Sequence, residues 1–158
     1  MKAALLLQLD QEIEAAVAAA KTAQETASHE DNKPENQYDT LSLEAAYLAH
    51  GQSERIHELQ QTRIHINQWP VPDFTEDDLI ANGALIQLEH SQQGEKWIWI
   101  TPIGGRQLEL DRNTILVLSI QAPLAHQLMQ LGVGDELSLS MGNTTHTDDD
   151  AWEIIAIA

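Results

Sequence analysis

The chain predicts an α+β protein: an N-terminal antiparallel helical hairpin of coiled-coil character, then a small β-rich domain with one helix. Three observations carry this. Apolar residues recur at helical spacing through the first third, and Pro70 and Pro72 end that pattern. Beyond them the apolar period falls to two, with Gly, Asn and Asp turns between short runs. The expected division is a hairpin arm over 1–67, a linker over 68–80 and a compact domain over 81–158.

The first helix follows from Leu6, Leu9, Ile13, Ala16, Ala20, Ala23 and Ala27, which keep an unbroken 3-4 alternation. That is a coiled-coil seam, large at its start and all alanine later, so the arm should taper. No Gly or Pro occurs before Pro34, and good helix formers dominate. The returning helix runs roughly over 38–66, with Leu41, Ala45, Leu48, Ile56, Leu59 and Ile66 apolar and a phase slip near Gly51-Gln52. Its small residues Ala45 and Ala49 fall opposite the alanines of the first helix, which predicts an antiparallel pair. A helix of about 25 residues spans roughly 40 Å, and so long an arm exposes most of its surface. Reach explains it better than burial does.

Pro34 fits a first helical turn and breaks a helix interior, so the chain reverses near it. The reversal reads His29-Glu30-Asp31-Asn32-Lys33-Pro34-Glu35-Asn36-Gln37-Tyr38-Asp39 and crowds four carboxylates, Glu30, Asp31, Glu35 and Asp39. Like charges so close repel one another, and a cation or a basic partner is their natural complement. Helix capping by Asp31 or Asn32 accounts for one or two of the acids, not for four. A transition-metal site at His29 is disfavoured, because no two histidines have the close helical spacing of a zinc motif. His50 and His57 share a helix face at a separation too large for one ion.

In the compact domain the expected strands are 84–89, 96–101, 107–110, 115–119, 136–140 and 152–157. One helix interrupts them. Pro123 opens it, Leu124, Leu128 and Met129 supply its apolar face, and Gly132 or Gly134 closes it. Trp97 and Trp99 alternate with Ile98 and Ile100, so one sheet face carries both tryptophans, as core or as an exposed docking patch. No Ser-His-Asp setting or phosphate-binding glycine loop is present, and Asp148-Asp149-Asp150 reads as a solvated loop.

The charge excludes more than it assigns. Of 158 residues 25 are acids and 8 are bases, for a net charge of −17. Both parts are acidic, with 11 acids and 5 bases up to Asn67 and 14 and 3 beyond it. Neither offers the basic face that phosphate neutralisation requires, so direct DNA or RNA binding is not expected. A basic protein surface fits better, although acidity also serves solubility alone. With no cysteine there is no disulfide framework or thiolate metal site. The apolar start Met1-Lys2-Ala3-Ala4-Leu5-Leu6-Leu7 stops at Gln8 and Asp10, unlike a signal peptide, and no run approaches the ~20 apolar residues of a membrane span. A cytoplasmic protein is expected.

Two stretches carry a family resemblance. Pro123-Leu124-Ala125-His126-Gln127-Leu128-Met129, followed by Gly134-Asp135-Glu136-Leu137, resembles the Ser-Pro-Ile-Ala-x-x-Leu-Ile-Gly…Gly-Asp pattern of the GreA/GreB family of bacterial transcript-cleavage factors. Ala122 stands where the family has Ser, and Gln130 where it has Gly. The second stretch is Glu35-Asn36 with Tyr38, then Gln52 and Glu54-Arg55-Ile56; here Asn32 falls at a family Asp position and Asp31 lies one residue earlier. The resemblance implies an FKBP-like C-terminal domain that docks on RNA polymerase, with the arm in the secondary channel. It implies that Asp31 and Glu35 help to hold Mg²⁺ in the polymerase active centre, with Glu30 and Asp39 auxiliary. Pro123, Leu124, Gly134 and Asp135 would lie on the docking face. The protein would then be a monomeric transcription elongation factor, not itself an enzyme, that binds RNA polymerase and modulates it, with stimulation of the polymerase's own RNA cleavage as one form of that modulation. The alternative is a non-catalytic regulator, either a polymerase inhibitor or a coiled-coil docking module.

Overall fold

In a computed structural model of the chain, residues 1–27, 40–138 and 151–158 are described. The chain divides into two units, Lys2–Trp69 and, with Met1, Pro70–Ala158.

The first unit pairs α1 (Lys2–Ala27) with α2 (Thr40–Gln68). Their direction is set by polar contacts at the ends remote from the bend. Arg63 donates to both carboxylate oxygens of Asp10, at 2.6 Å from Nε and 3.2 Å from Nη2. Lys2 Nζ donates to the carbonyls of Asn67 at 3.0 Å and Trp69 at 2.6 Å. Contacts between the start of one helix and the end of the other require an antiparallel pair. The buried side chains are Leu5, Leu9 and Ala16 on α1 with Leu59, Ile66 and Trp69.

The seam departs from expectation in two places. Leu5, not Leu6, is fully buried, and Leu6 is half-buried. Three consecutive leucines fit adjacent heptad phases equally, and only the partner helix selects among them. Toward the bend Ala20 is half-buried and Ala23 exposed, since alanine has little apolar surface to bury. Leu48, expected at the seam, is 64% exposed. The Asp10–Arg63 register brings it level with Glu25, where α1 offers no large apolar side chain.

The second unit is built on a six-stranded sheet of order β3-β4-β2-β1-β6-β5. Its strands are β1 (Leu85–His90), β2 (Gly94–Thr101), β3 (Arg106–Leu110), β4 (Asn113–Ser119), β5 (Glu136–Ser138) and β6 (Ala151–Ile157). Every pair is antiparallel except β2 with β4. All six lie within a few residues of their expected places; 139–140, assigned to the fifth strand, fall outside the described residues. The β3–β4 connection is a two-residue turn in which Asp111 and Arg112 both have positive φ, 50° and 70°. Such a turn matches the right-handed twist of the strands it joins.

One sheet face carries the main core. Ile86, Ile98 and Leu116 are cross-strand neighbours there, with Leu88, Ile100, Ile154 and Ile157. Ala125 and Leu128 of α3 (Pro123–Leu128), together with Ile80 and Phe74, complete the cluster. Each buried aliphatic side chain contributes about 1.5–3 kcal/mol relative to exposure. Trp152 is buried on this cluster, with the His90 ring 5.0 Å away and Lys96 Nζ 4.0 Å above its ring. Trp97 and Trp99 share the opposite face, so these two tryptophans do not fill the main core. Trp99 is nevertheless fully buried and donates from Nε1 to the Gly83 carbonyl at 3.0 Å. Trp97 is half-buried.

The helix α3 ends earlier than glycine placement suggests. Met129 is its C-cap, and the next residue, Gln130, is left-handed at φ 69°. Tertiary bonds stop it there. Gln130 N donates to Ile80 O at 3.0 Å, and Ile80 N donates to Leu131 O at 2.8 Å. An amide bonded to another segment cannot continue the helical ladder.

Candidate docking face

The carboxylates singled out at the bend, Glu30, Asp31, Glu35 and Asp39, lie outside the described residues, as do Asp148, Asp149 and Asp150. Among the described residues no group of three or more His, Asp or Glu stands together as a metal site. No described helix is long and apolar enough to cross a membrane.

The other candidate residues are all placed. Pro123 occupies the first turn of α3, exposed, where its missing N–H costs nothing. Ala122 is the N-cap, in extended backbone with no side-chain bond to the helix. A serine there would accept from a free amide of the first turn. Leu124 is half-buried and packs against the core.

Gly134 and Asp135 begin the β5 edge. Gly134 is left-handed at φ 89° and donates its N–H to Ile154 O at 2.8 Å, while Asp135 O accepts from Ile154 N at 3.0 Å. The Asp135 carboxylate is exposed and accepts from Gly132 N at 2.8 Å, which closes the 132–135 turn. The pair therefore has a structural task, and its carboxylate still faces solvent. The chain brings Pro123 and Leu124 to the start of α3, and Gly134 and Asp135 to the turn that follows its end.

A second fixed carboxylate stands at 75–78. Asp78 Oδ2 accepts from the Thr75 hydroxyl and from Thr75 N, both at 2.8 Å. The hydroxyl bond and then the backbone bond hold its carboxyl below the usual range. Next to it Leu79 is exposed, and so is Val133 beside Gly132. Sequence reading did not single these two out. The available signal was Leu79 standing directly before the core residue Ile80.

In the helical pair, the bidentate bond from Arg63 lowers the Asp10 carboxyl below its ordinary value. Desolvation opposes this, and the Arg63 charge adds to it. His50 lies 3.4 Å from Glu54 one turn on.

No protein-family model and no curated protein matches the chain. Solved structures do. The GreA factor homolog 1 (Gfh1) protein of Thermus thermophilus is 18% identical with a TM-score of 0.36, covering 97% of this chain and 94% of that one. A structure of the transcription factor Gfh1 gives 18% and 0.38, over 98% and 93%. Thermus aquaticus Gfh1 gives 18% and 0.37, over 99% and 95%. At these values the likeness assigns neither family nor activity.

Proposed function

We propose that the protein is a Gre-like transcription elongation factor that binds RNA polymerase through the secondary channel and modulates it. The observation that carries this reading is the backbone of the 123–135 motif. Where the resembling pattern has glycine, at 130 and 134, the chain is left-handed at both, with φ 69° and 89°. One of the two residues is a glutamine, which here holds a conformation that glycine adopts without strain. That conformation costs a residue other than glycine about 1–2 kcal/mol, so its adoption by Gln130 is not a default of the chain. The N-cap position of Ala122, where the pattern has Ser, supports the same reading.

In this reading Asp31 and Glu35 are the carboxylates that hold Mg²⁺ at the polymerase active centre, with Glu30 and Asp39 auxiliary. The donor set suits the ion: Mg²⁺ prefers oxygen ligands and keeps several waters, so two carboxylates suffice. When bound, it would supply positive charge to the attacking water and the leaving oxygen in the polymerase's own RNA cleavage. This chain delivers and orients its carboxylates. At 26 and 29 residues, the two helices are about 39 and 43 Å long, enough for reach into a channel.

Asn32, at the family's Asp position, favours a second reading: a factor that occupies the channel and inhibits without cleavage. One assay separates them. Stalled elongation complexes are treated with wild type and with the Asp31→Ala, Glu35→Ala double variant, and RNA shortening is followed. Shortening lost in the double variant supports metal-holding carboxylates. Binding without shortening selects the inhibitor. No binding to core polymerase removes both.

A further inference from the structure

We infer that Asp10 and Arg63, with Lys2, are positioning residues: they set the axial register of α1 against α2, and with it the two points that anchor the carboxylate-bearing segment 28–39. The register is a property of the helical pair alone. What the carboxylates do with it rests on the polymerase reading.

The apolar seam selects a register only weakly. Leu5 and Leu9 lie four residues apart, so a one-turn slip sets one at the other's station. Leu59 and Ile66, a heptad apart, repeat each other in the same way. Beyond Ala16 the α1 seam is Ala20, Ala23 and Ala27, one small knob offered again at each turn. Repeats of this kind leave one-turn slips poorly distinguished, and polar contacts then specify the register.

The polar contacts do discriminate. Both carboxylate oxygens of Asp10 accept from Arg63, one from Nε and one from Nη2, and a fork of that shape fits one axial position. Lys2 Nζ donates to the carbonyls of Asn67 and Trp69 at the end of α2, where the last carbonyls have no partner within the helix. Lys21–Glu25 and His50–Glu54, by contrast, each lie within one helix and are indifferent to register. The side chains of Asp10 and Arg63 are 43% and 38% exposed, and pairs so open add little stability. Their contribution is geometric.

A competing register is present in the chain. Glu14 stands one turn beyond Asp10 on α1, a second carboxylate for Arg63. Taking it would slide α2 by four residues, about 6 Å, and draw the Asn67 and Trp69 carbonyls away from Lys2. In the observed register Ala27, the last residue of α1, is level with residue 46, and α2 begins six residues farther out at Thr40. That offset is about 9 Å, and the slip would make it about 15 Å. The twelve residues between Ala27 and Thr40 include Glu30, Asp31, Glu35 and Asp39. Ligands for one ion must be held within about 0.5 Å of their working geometry, so a slip of one turn is large.

The chain has no cysteine, so introduced cysteines are its only thiol labels. Ala3→Cys and Leu48→Cys, both at exposed positions, carry spin labels in the full chain, and pulsed electron resonance reads the distance between them. The labelled parent should give one distance. Asp10→Asn should add a second, about 5 Å longer. Lys2→Met in the same chain should enlarge that population, and Glu14→Gln should remove it. A single unchanged distance in the Asp10→Asn, Lys2→Met chain overturns the inference. So does a broadened distance that Glu14→Gln does not correct, since unfolding would not depend on Glu14. On stalled elongation complexes, Asp10→Asn should bind polymerase as wild type does and shorten RNA about tenfold more slowly, with Glu14→Gln restoring the rate. A shifted distance with an unchanged rate overturns the positioning role. If wild type shortens no RNA, the cleavage reading fails, and the distance measurement alone decides the register.

Discussion

The two units of this chain reach stability by different means. In the sheet unit, side chains such as Ile86, Ile98, Ile100 and Ile154 are enclosed by neighbouring strands and by α3. In the helical pair, helices of 26 and 29 residues bury a stripe at Leu5, Leu9, Ala16, Leu59 and Ile66, and most of their other described side chains are exposed or half-buried. A helix with one partner can bury only one face, whereas a covered sheet buries each strand from several sides. The difference suits the proposed roles. A docking face needs fixed side chains, and a long helical pair that serves for reach needs length more than core.

Large-to-small changes should separate the units most clearly. Ile100→Ala in the sheet unit is expected to cost about 3–4 kcal/mol, within the range for full cavity formation. Leu9→Ala should cost nearer 2 kcal/mol, because an open helical pair collapses more readily around a lost side chain. Denaturant melts followed by far-ultraviolet ellipticity and tryptophan fluorescence check both, and equal losses would break the contrast.

Next comes Trp99→Phe. It keeps the ring buried and removes the bond to the Gly83 carbonyl, for an expected cost of about 1–2 kcal/mol. A neutral result would mean that this carbonyl finds another donor. Of similar size but opposite sign are two changes around α3. Ala122→Ser restores an N-cap and should gain about 1 kcal/mol. Gln130→Gly relieves left-handed strain and should gain about 1 kcal/mol. A lower melting temperature in either would contradict the geometry described.

The smallest effect is acid sensitivity of the helical pair. The folded-state Asp10 carboxyl is held below its unfolded value by the Arg63 bond. Its stabilisation is therefore present above the unfolded carboxylate range and is lost as pH falls through the folded value. Asp10→Asn should flatten that part of the acid limb of helical ellipticity. An identical limb would show that the pair does not contribute.

Much of this could be read before folding. The period-two runs located each strand, because alternate residues must face opposite sides of a sheet. Pro123 marked the start of α3, because its ring fits a first turn. Heptad phase was less legible, since Leu5, Leu6 and Leu7 are chemically equivalent until a partner chooses one. The end of α3 was misplaced because Gln130 adopts a conformation that glycine would announce. Of the candidate face, Pro123, Leu124, Gly134 and Asp135 were visible through a motif, whereas Leu79 lies over 40 residues upstream of that motif and offered only its place before Ile80.

By itself the sequence determined the element types, the turns and the charge, since these depend on local sterics and composition. Only the tertiary structure decided that β2 pairs parallel with β4, that the main core lies opposite Trp97 and Trp99, and that Ile80 stops α3. Those outcomes depend on contacts between distant segments, whose relative cost no local pattern records.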